Sequence, residues 1–289
     1  MHPAYKSRDV LRTEILQAFA HHEEVSHIFF FGKEVEGIAD EYSDIDMVIC
    51  SDDMPRTQNS YRQTFAQISP IRNTWLITSS LDHFAEMIML EAYSPYQKID
   101  FSIVKDIQDK AQFGPFHCVY ERPTTGYRPP SSPNVLQEIS VIHDITYILT
   151  EVLFSVGRFT KCLFRQDFQK YRRWHGLAEL TIVLLFEKYF GWVPEMHTRR
   201  LMSHEVAKLY NTISADDFRT LTTIYPQSGP VNIVQSYQVS LDLCILLSQQ
   251  KARALGCDLD MKFIDYARDF FQKELARHQQ FTEQRKRGR

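Results

Sequence analysis

The 289-residue chain has five cysteines, at positions 50, 118, 162, 244 and 257, and no two are spaced as a CxxC pair. Cysteines scattered in this way build neither a disulfide framework nor a structural zinc site, and they fit reduced thiols in a cytosolic protein. Long apolar runs are missing too. Residues 180–186 are interrupted by Thr181 and stop at Glu187, well short of the ~18 residues a bilayer span needs. The opening stretch, MHPAYKSRDVLRTEIL, lacks the apolar core of a signal peptide. The expectation is a soluble, cytoplasmic protein with no membrane partner. Nor is one sign of charge in excess. A formal net charge of -3 makes no global electrostatic case for nucleic acid or anionic lipid, so nucleic acid is not expected as a partner. Internal repeats and low-complexity tracts are absent.

Apolar material, by contrast, is plentiful. A hydrophobic share of 44%, with 20 Phe and 14 Tyr, is enough for a proper core and argues against a disordered chain. The first part of the chain alternates between helical and extended patterns. Residues 7–20 place Val10, Leu11, Ile15, Leu16 and Phe19 on one helical face. Residues 25–31 are rich in β-branched and aromatic side chains and run into Gly32, the pattern of a strand ending at a turn. Residues 45–50, 73–78 and 98–104 read as further strands, and 82–91 as a helix.

Residues 114–133 are rich in Pro and Gly among polar neighbours, with Pro115, Pro123, Gly126, Pro129, Pro130 and Pro133. They read as a connection between domains. Beyond them, 135–164, 174–190, 204–212, 216–224, 236–255 and 261–279 all carry helical periodicity, and the basic end at 285–289 should fray. The prediction is an α+β protein. Residues 1–113 make a small mixed sheet with flanking helices, 114–133 connect, and 134–289 form a helical bundle.

The chemistry concentrates in FFFGKEVEGIADEYSDIDMVI, residues 29–49. Asp44 and Asp46 flank Ile45 at the start of a strand, and alternate strand residues share a face. Two carboxylates side by side raise each other's pKa unless a cation compensates. The pairing is costly in a plain core and suits a hard divalent ion such as Mg²⁺, held jointly with substrate phosphates. Asp100 stands opposite Ile99, Phe101 and Ile103 on its own strand, as a third ligand on a neighbouring strand would. Three carboxylates can hold one metal ion or two. Lys170, Arg172 and Arg173, between two predicted helices, read either as a phosphate clamp or as ordinary solvated cations.

Gly32, then Asp44-Ile45-Asp46, then the later strand acid Asp100 resembles the polymerase-β-type nucleotidyltransferase pattern. Within that superfamily, residues 32–46 are similar to lincosamide nucleotidyltransferases and, more loosely, to aminoglycoside adenylyltransferases. The detailed match is confined to these motifs, with a general likeness of layout over the whole chain. The resemblance implies a nucleotidyltransferase-type sheet followed by a helical bundle. It implies transfer of a nucleoside monophosphate, AMP from ATP, to a hydroxyl of a small molecule, an antibiotic such as a lincosamide or aminoglycoside among them.

The resemblance makes Asp44 and Asp46 metal ligands for two Mg²⁺ ions, and Asp100 the third ligand or the general base. Gly32, Lys33 and Ser43 would lie at the nucleoside triphosphate, and it favours a basic residue near Lys170 and Arg173 as a phosphate contact. It also admits a homodimer, since some relatives pair. The chain departs from the pattern at Lys33, where the family has Ser. Two alternatives therefore stay open: a degenerate binding or regulatory module, and a protein-modifying, antitoxin-like nucleotidyltransferase.

Overall fold

The computed structural model describes residues 5–80, 82–105, 116–123, 141–165, 176–190, 209, 211–224 and 230–287. The chain divides into two compact units, Met1–Ser140 and Val141–Arg289.

In the first unit, helix α1 (Arg8–Ala20) starts where the Ser7 hydroxyl accepts from the Val10 N–H at 3.3 Å, capping an otherwise unpaired amide. Its buried stripe is Leu11, Ile15 and Phe19. Strands β1 (Val25–Phe31) and β2 (Ile45–Ser51) follow, then helix α2 (Met54–Ile68). Asp53 caps α2 by accepting from the Arg56 N–H at 3.1 Å, and Pro55 stands in its first turn, where its missing N–H costs nothing. Strands β3 (Ile71–Ser79), β4 (His83–Leu90), β5 (Ile99–Val104) and β6 (Phe116–Glu121) complete a six-stranded sheet. The strand order is β3-β4-β5-β2-β1-β6. Only the central pair β2–β5 is parallel, so the sheet is mixed.

Leu11, Ile15 and Phe19 of α1 and Tyr61 and Phe65 of α2 bury against Ile45, Met47, Ile49, Ile99, Phe101 and Ile103. These odd-numbered strand residues point into the core, so the even-numbered ones, Asp46 and Asp100 included, point to the opposite face. That alternation positions the site.

Three expectations need correction. The segment 82–91 holds strand β4 (His83–Leu90) rather than a helix. Met, Leu, Ala and Glu favour helices in isolation, but this segment lies hydrogen-bonded between β3 and β5 and is buried along almost its whole length, and tertiary pairing overrides a weak propensity. The stretch assigned to the connection contributes β6, which pairs with β1 at the sheet edge. The last helix runs to Arg287, into the basic stretch expected to lie outside it.

The second unit is helical: α3 (Val141–Arg165), α4 (Gly176–Phe190), α5 (Ala215–Ile224), α6 (Pro230–Ala254) and α7 (Met261–Arg287). Phe159 of α3 stacks on Tyr237 of α6 with ring centroids 4.0 Å apart, and Phe271 of α7 closes on both. Such aromatic clusters carry much of a bundle's burial energy. Helix α4 buries Leu180, Thr181, Ile182, Leu184 and Leu185, more than one stripe's worth, as an interior helix does. Lys251 of α6 pairs with Glu187 of α4 at 2.9 Å. The α+β prediction holds: a mixed sheet with flanking helices, then a set of packed helices. Among the described residues, no helix is long and apolar enough to cross a membrane.

Candidate active site

Strand β1 delivers Gly32 at a φ of +65°, a left-handed backbone that glycine adopts without strain. The carbonyl of Gly32 accepts from the N–H groups of Val35 and Glu36 at 3.1 and 3.3 Å, closing the short 3-10 turn Gly32–Glu34. A Cβ on Gly32 would lie 2.5 Å from Asp46 Oδ2. The glycine is therefore required twice, by the turn and by the carboxylate pressed against it.

The parallel register of β2 and β5 sets Ile45 beside Ile99 and Asp46 beside Asp100. It is anchored at the strand start, where the Ile45 N–H donates to the Lys98 carbonyl at 2.9 Å. Two aspartates thus stand as lateral neighbours on the face away from α1 and α2, with Asp44 one alternation ahead.

A fourth residue joins them. Lys98 lies two positions before Asp100 and so shares its face. Its ammonium is in contact with Asp100 Oδ2 and lies 3.5 Å from Asp44 Oδ2, and the residue is 5% exposed. Burial works against its charge, but the carboxylates of Asp100 and Asp44 outweigh burial and hold the Lys98 pKa above its ordinary value. Asp46 moves the other way for an acid. Burial, then the charges of Asp44 and Asp100, raise it to about 7, and Lys98 only partly offsets them. The cluster carries more negative charge than its one ammonium neutralises.

Helix α1 braces the surrounding backbone. Arg8, itself buried, pairs with Glu34 of the Gly32 turn at 2.6 Å and donates to the Asp44 carbonyl at 3.2 Å. Arg12 pairs with the same Glu34. Burial opposes the Glu34 charge, and the two guanidinium groups more than compensate, so its pKa falls below the usual carboxylate range. One side chain on α1 thus ties together the two segments that carry Gly32 and Asp44.

Ser43 is fully buried and closes the turn ahead of Asp44. Its hydroxyl donates to Asp40 Oδ1 at 2.7 Å and accepts from the Asp40 N–H at 3.0 Å. Lys33 stands in the Gly32 turn, with its carbonyl accepting from the Ile38 N–H at 3.2 Å. Lys170, Arg172 and Arg173 lie outside the described residues.

The fold therefore brings Gly32, Asp44, Asp46 and Asp100 together, with Lys33 and Ser43 on the adjoining turns. Sequence reasoning overlooked Lys98, Arg8 and Glu34. The alternation Lys98-Ile99-Asp100 was a usable signal for the first, whereas the Arg8–Glu34 pairing spans distant segments and left none.

Among the described residues no three His, Cys, Asp or Glu side chains converge as a ready metal cage. Asp46 Oδ2 lies against Gly32, and Lys98 holds Asp100 and Asp44. The donor chemistry still fits a hard divalent cation: every candidate ligand is a carboxylate oxygen, and the cluster retains uncompensated negative charge.

No protein-family model matches the chain, and no curated protein sequence matches it. Among solved structures it is similar to an aminoglycoside 6-adenyltransferase from Bacillus subtilis. That likeness has 11% identity and a TM-score of 0.38, over 93% of this chain and 99% of the other. The site geometry stands without it.

Proposed function

We propose that this chain is a Mg²⁺-dependent nucleotidyltransferase that moves AMP from ATP onto a hydroxyl of a small molecule. One observation carries the reading: Asp46 and Asp100 are register partners on parallel neighbouring strands, with Asp46 Oδ2 set against a left-handed glycine. Paired acids on one face, beside a turn that admits no Cβ, suit a triphosphate and its cation better than they suit a core.

Asp44 and Asp46 would hold the cation together with the nucleotide, with Asp100 beside them. Mg²⁺, when bound, supplies charge neutralisation for the triphosphate and its leaving group. Gly32 lets the backbone approach the phosphates, and Lys33 offers them an ammonium in place of the usual serine hydroxyl. Asp100 takes the proton from the acceptor hydroxyl. The acceptor oxygen forms its bond to the α-phosphorus as the bond from that phosphorus to the pyrophosphate oxygen breaks in line. Pyrophosphate leaves with the electron pair, and orientation of the two reactants supplies much of the rate.

A second reading has its own support. The ammonium of Lys98 already neutralises Asp100 and approaches Asp44, which suits a catalytically silent nucleotide-binding module. Calorimetry with ATP, with and without Mg²⁺, and pyrophosphate release over a panel of hydroxylated acceptors that includes aminoglycosides and lincosamides separate the two. Metal-dependent binding with turnover supports the transferase, and metal-dependent binding without turnover supports the module. Absence of binding at millimolar nucleotide overturns both. Labelled ATP incubated with a cell lysate tests protein modification, which would put label in a protein band.

A further inference from the structure

We infer that the catalytic face takes one divalent cation rather than two, and that the ammonium of Lys98 stands where the second would sit. This deepens the transferase reading and rests on it. A second metal ion in such a site must bridge two of the three acids. Here Lys98 Nζ already does so, in contact with Asp100 Oδ2 and 3.5 Å from Asp44 Oδ2.

Three features keep it there. Strand alternation puts Lys98 on the same face as Asp100, and its backbone carbonyl is tied to the Ile45 N–H at 2.9 Å. The side chain is only 6% exposed, so little water is at hand to take the place of its carboxylates. A cation that displaced it would leave a buried ammonium without its carboxylates, a costly arrangement. Asp46, by contrast, keeps Oδ2 beside Gly32, on the turn where the phosphates are proposed to lie. One cation shared by Asp46, Asp44 and the nucleotide is compatible with an unmoved Lys98; a pair is not.

Mn²⁺ replaces Mg²⁺ as the probe, and the full chain is saturated with α,β-methylene-ATP, whose α,β bridge cannot be cleaved. Two Mn²⁺ held at the ~4 Å spacing of two-metal sites are exchange-coupled, and a single ion is not. Electron paramagnetic resonance of the wild type should show an isolated protein-bound Mn²⁺. Lys98→Met and Lys98→Gln, checked for folding by circular dichroism, should gain a second Mn²⁺ and the coupled signal.

A coupled pair in the wild type overturns the inference and leaves the transferase reading intact, as does an uncoupled single ion in both folded variants. Absence of any protein-bound Mn²⁺ overturns the transferase reading itself. If neither variant folds, the wild-type spectrum alone decides the number of cations.

Discussion

Replacing Asp46 with Asn should stabilise the protein while disabling it. The Asp46 carboxyl is raised from an ordinary 3.8 to about 7, first by burial and then by the charges of Asp44 and Asp100. The folded chain therefore holds this proton more tightly than the unfolded chain. Between about pH 4 and about pH 7 it binds more protons than the unfolded chain, so stability falls as pH rises through that window. Moving an acid over that range corresponds to about 4 kcal/mol at about 1.36 kcal/mol per pH unit. Asn removes the charge and keeps the shape. Urea denaturation should thus find Asp46→Asn close to wild type near pH 4 and more stable by up to about 4 kcal/mol near pH 8, with the same m-value. Nucleotidyl transfer should be lost in the same variant. A variant less stable than wild type at pH 8, or a difference that ignores pH, would refute the account of Asp46 as a destabilising, function-bearing charge.

Three further outcomes are expected. Gly32→Ala forces a side chain into left-handed backbone at a cost of about 1–2 kcal/mol, and its Cβ must displace Asp46 Oδ2 from 2.5 Å. Turnover should fall by about 100-fold, the penalty of a misplaced reacting group, measured as pyrophosphate release beside a melting curve. Arg8→Met leaves Glu34 to the more exposed Arg12 and removes the Arg8 hydrogen bond to the Asp44 carbonyl. It should cost about 3 kcal/mol in urea and weaken Mg²⁺-dependent ATP binding by calorimetry. Mg²⁺ should raise the melting temperature more near pH 8 than near pH 5, because binding must release the Asp46 proton at the lower pH; an equal rise at both would count against Asp46 as a ligand.

The parts of the fold legible in the sequence are those whose signal is local. Strand β1 ends at a glycine because the chain turns there, and Val25, Ile28 and the three Phe that follow mark it. The pattern of strand β5 separates Asp100 from its apolar neighbours without reference to any other segment. Helix α2 had a local signal as well, with Asp53 at its cap and Pro55 in its first turn, and went unread. Strand β4 did not have one. Its Ala, Glu, Met and Leu residues are helix formers, and the flanking β3 and β5 make the segment a strand. Strand β6 lies at the head of a Pro- and Gly-rich stretch, and its pairing with β1 across intervening strands follows from sheet topology.

For the candidate site the division is sharper. The residue types and spacing of Gly32, Asp44, Asp46 and Asp100 were enough to nominate them, because acids at alternate strand positions are costly without a purpose. That Asp46 and Asp100 are register partners depended on β2 and β5 being parallel neighbours, a long-range pairing. The same pairing decided the charge state of the cluster. It buried Lys98 among the aspartates, and the antiparallel pairing of β1 with β2 set Asp46 against Gly32. Sequence by itself determined which groups carry charge; tertiary structure alone decided which charges meet out of water, where each one's pKa and partners are set.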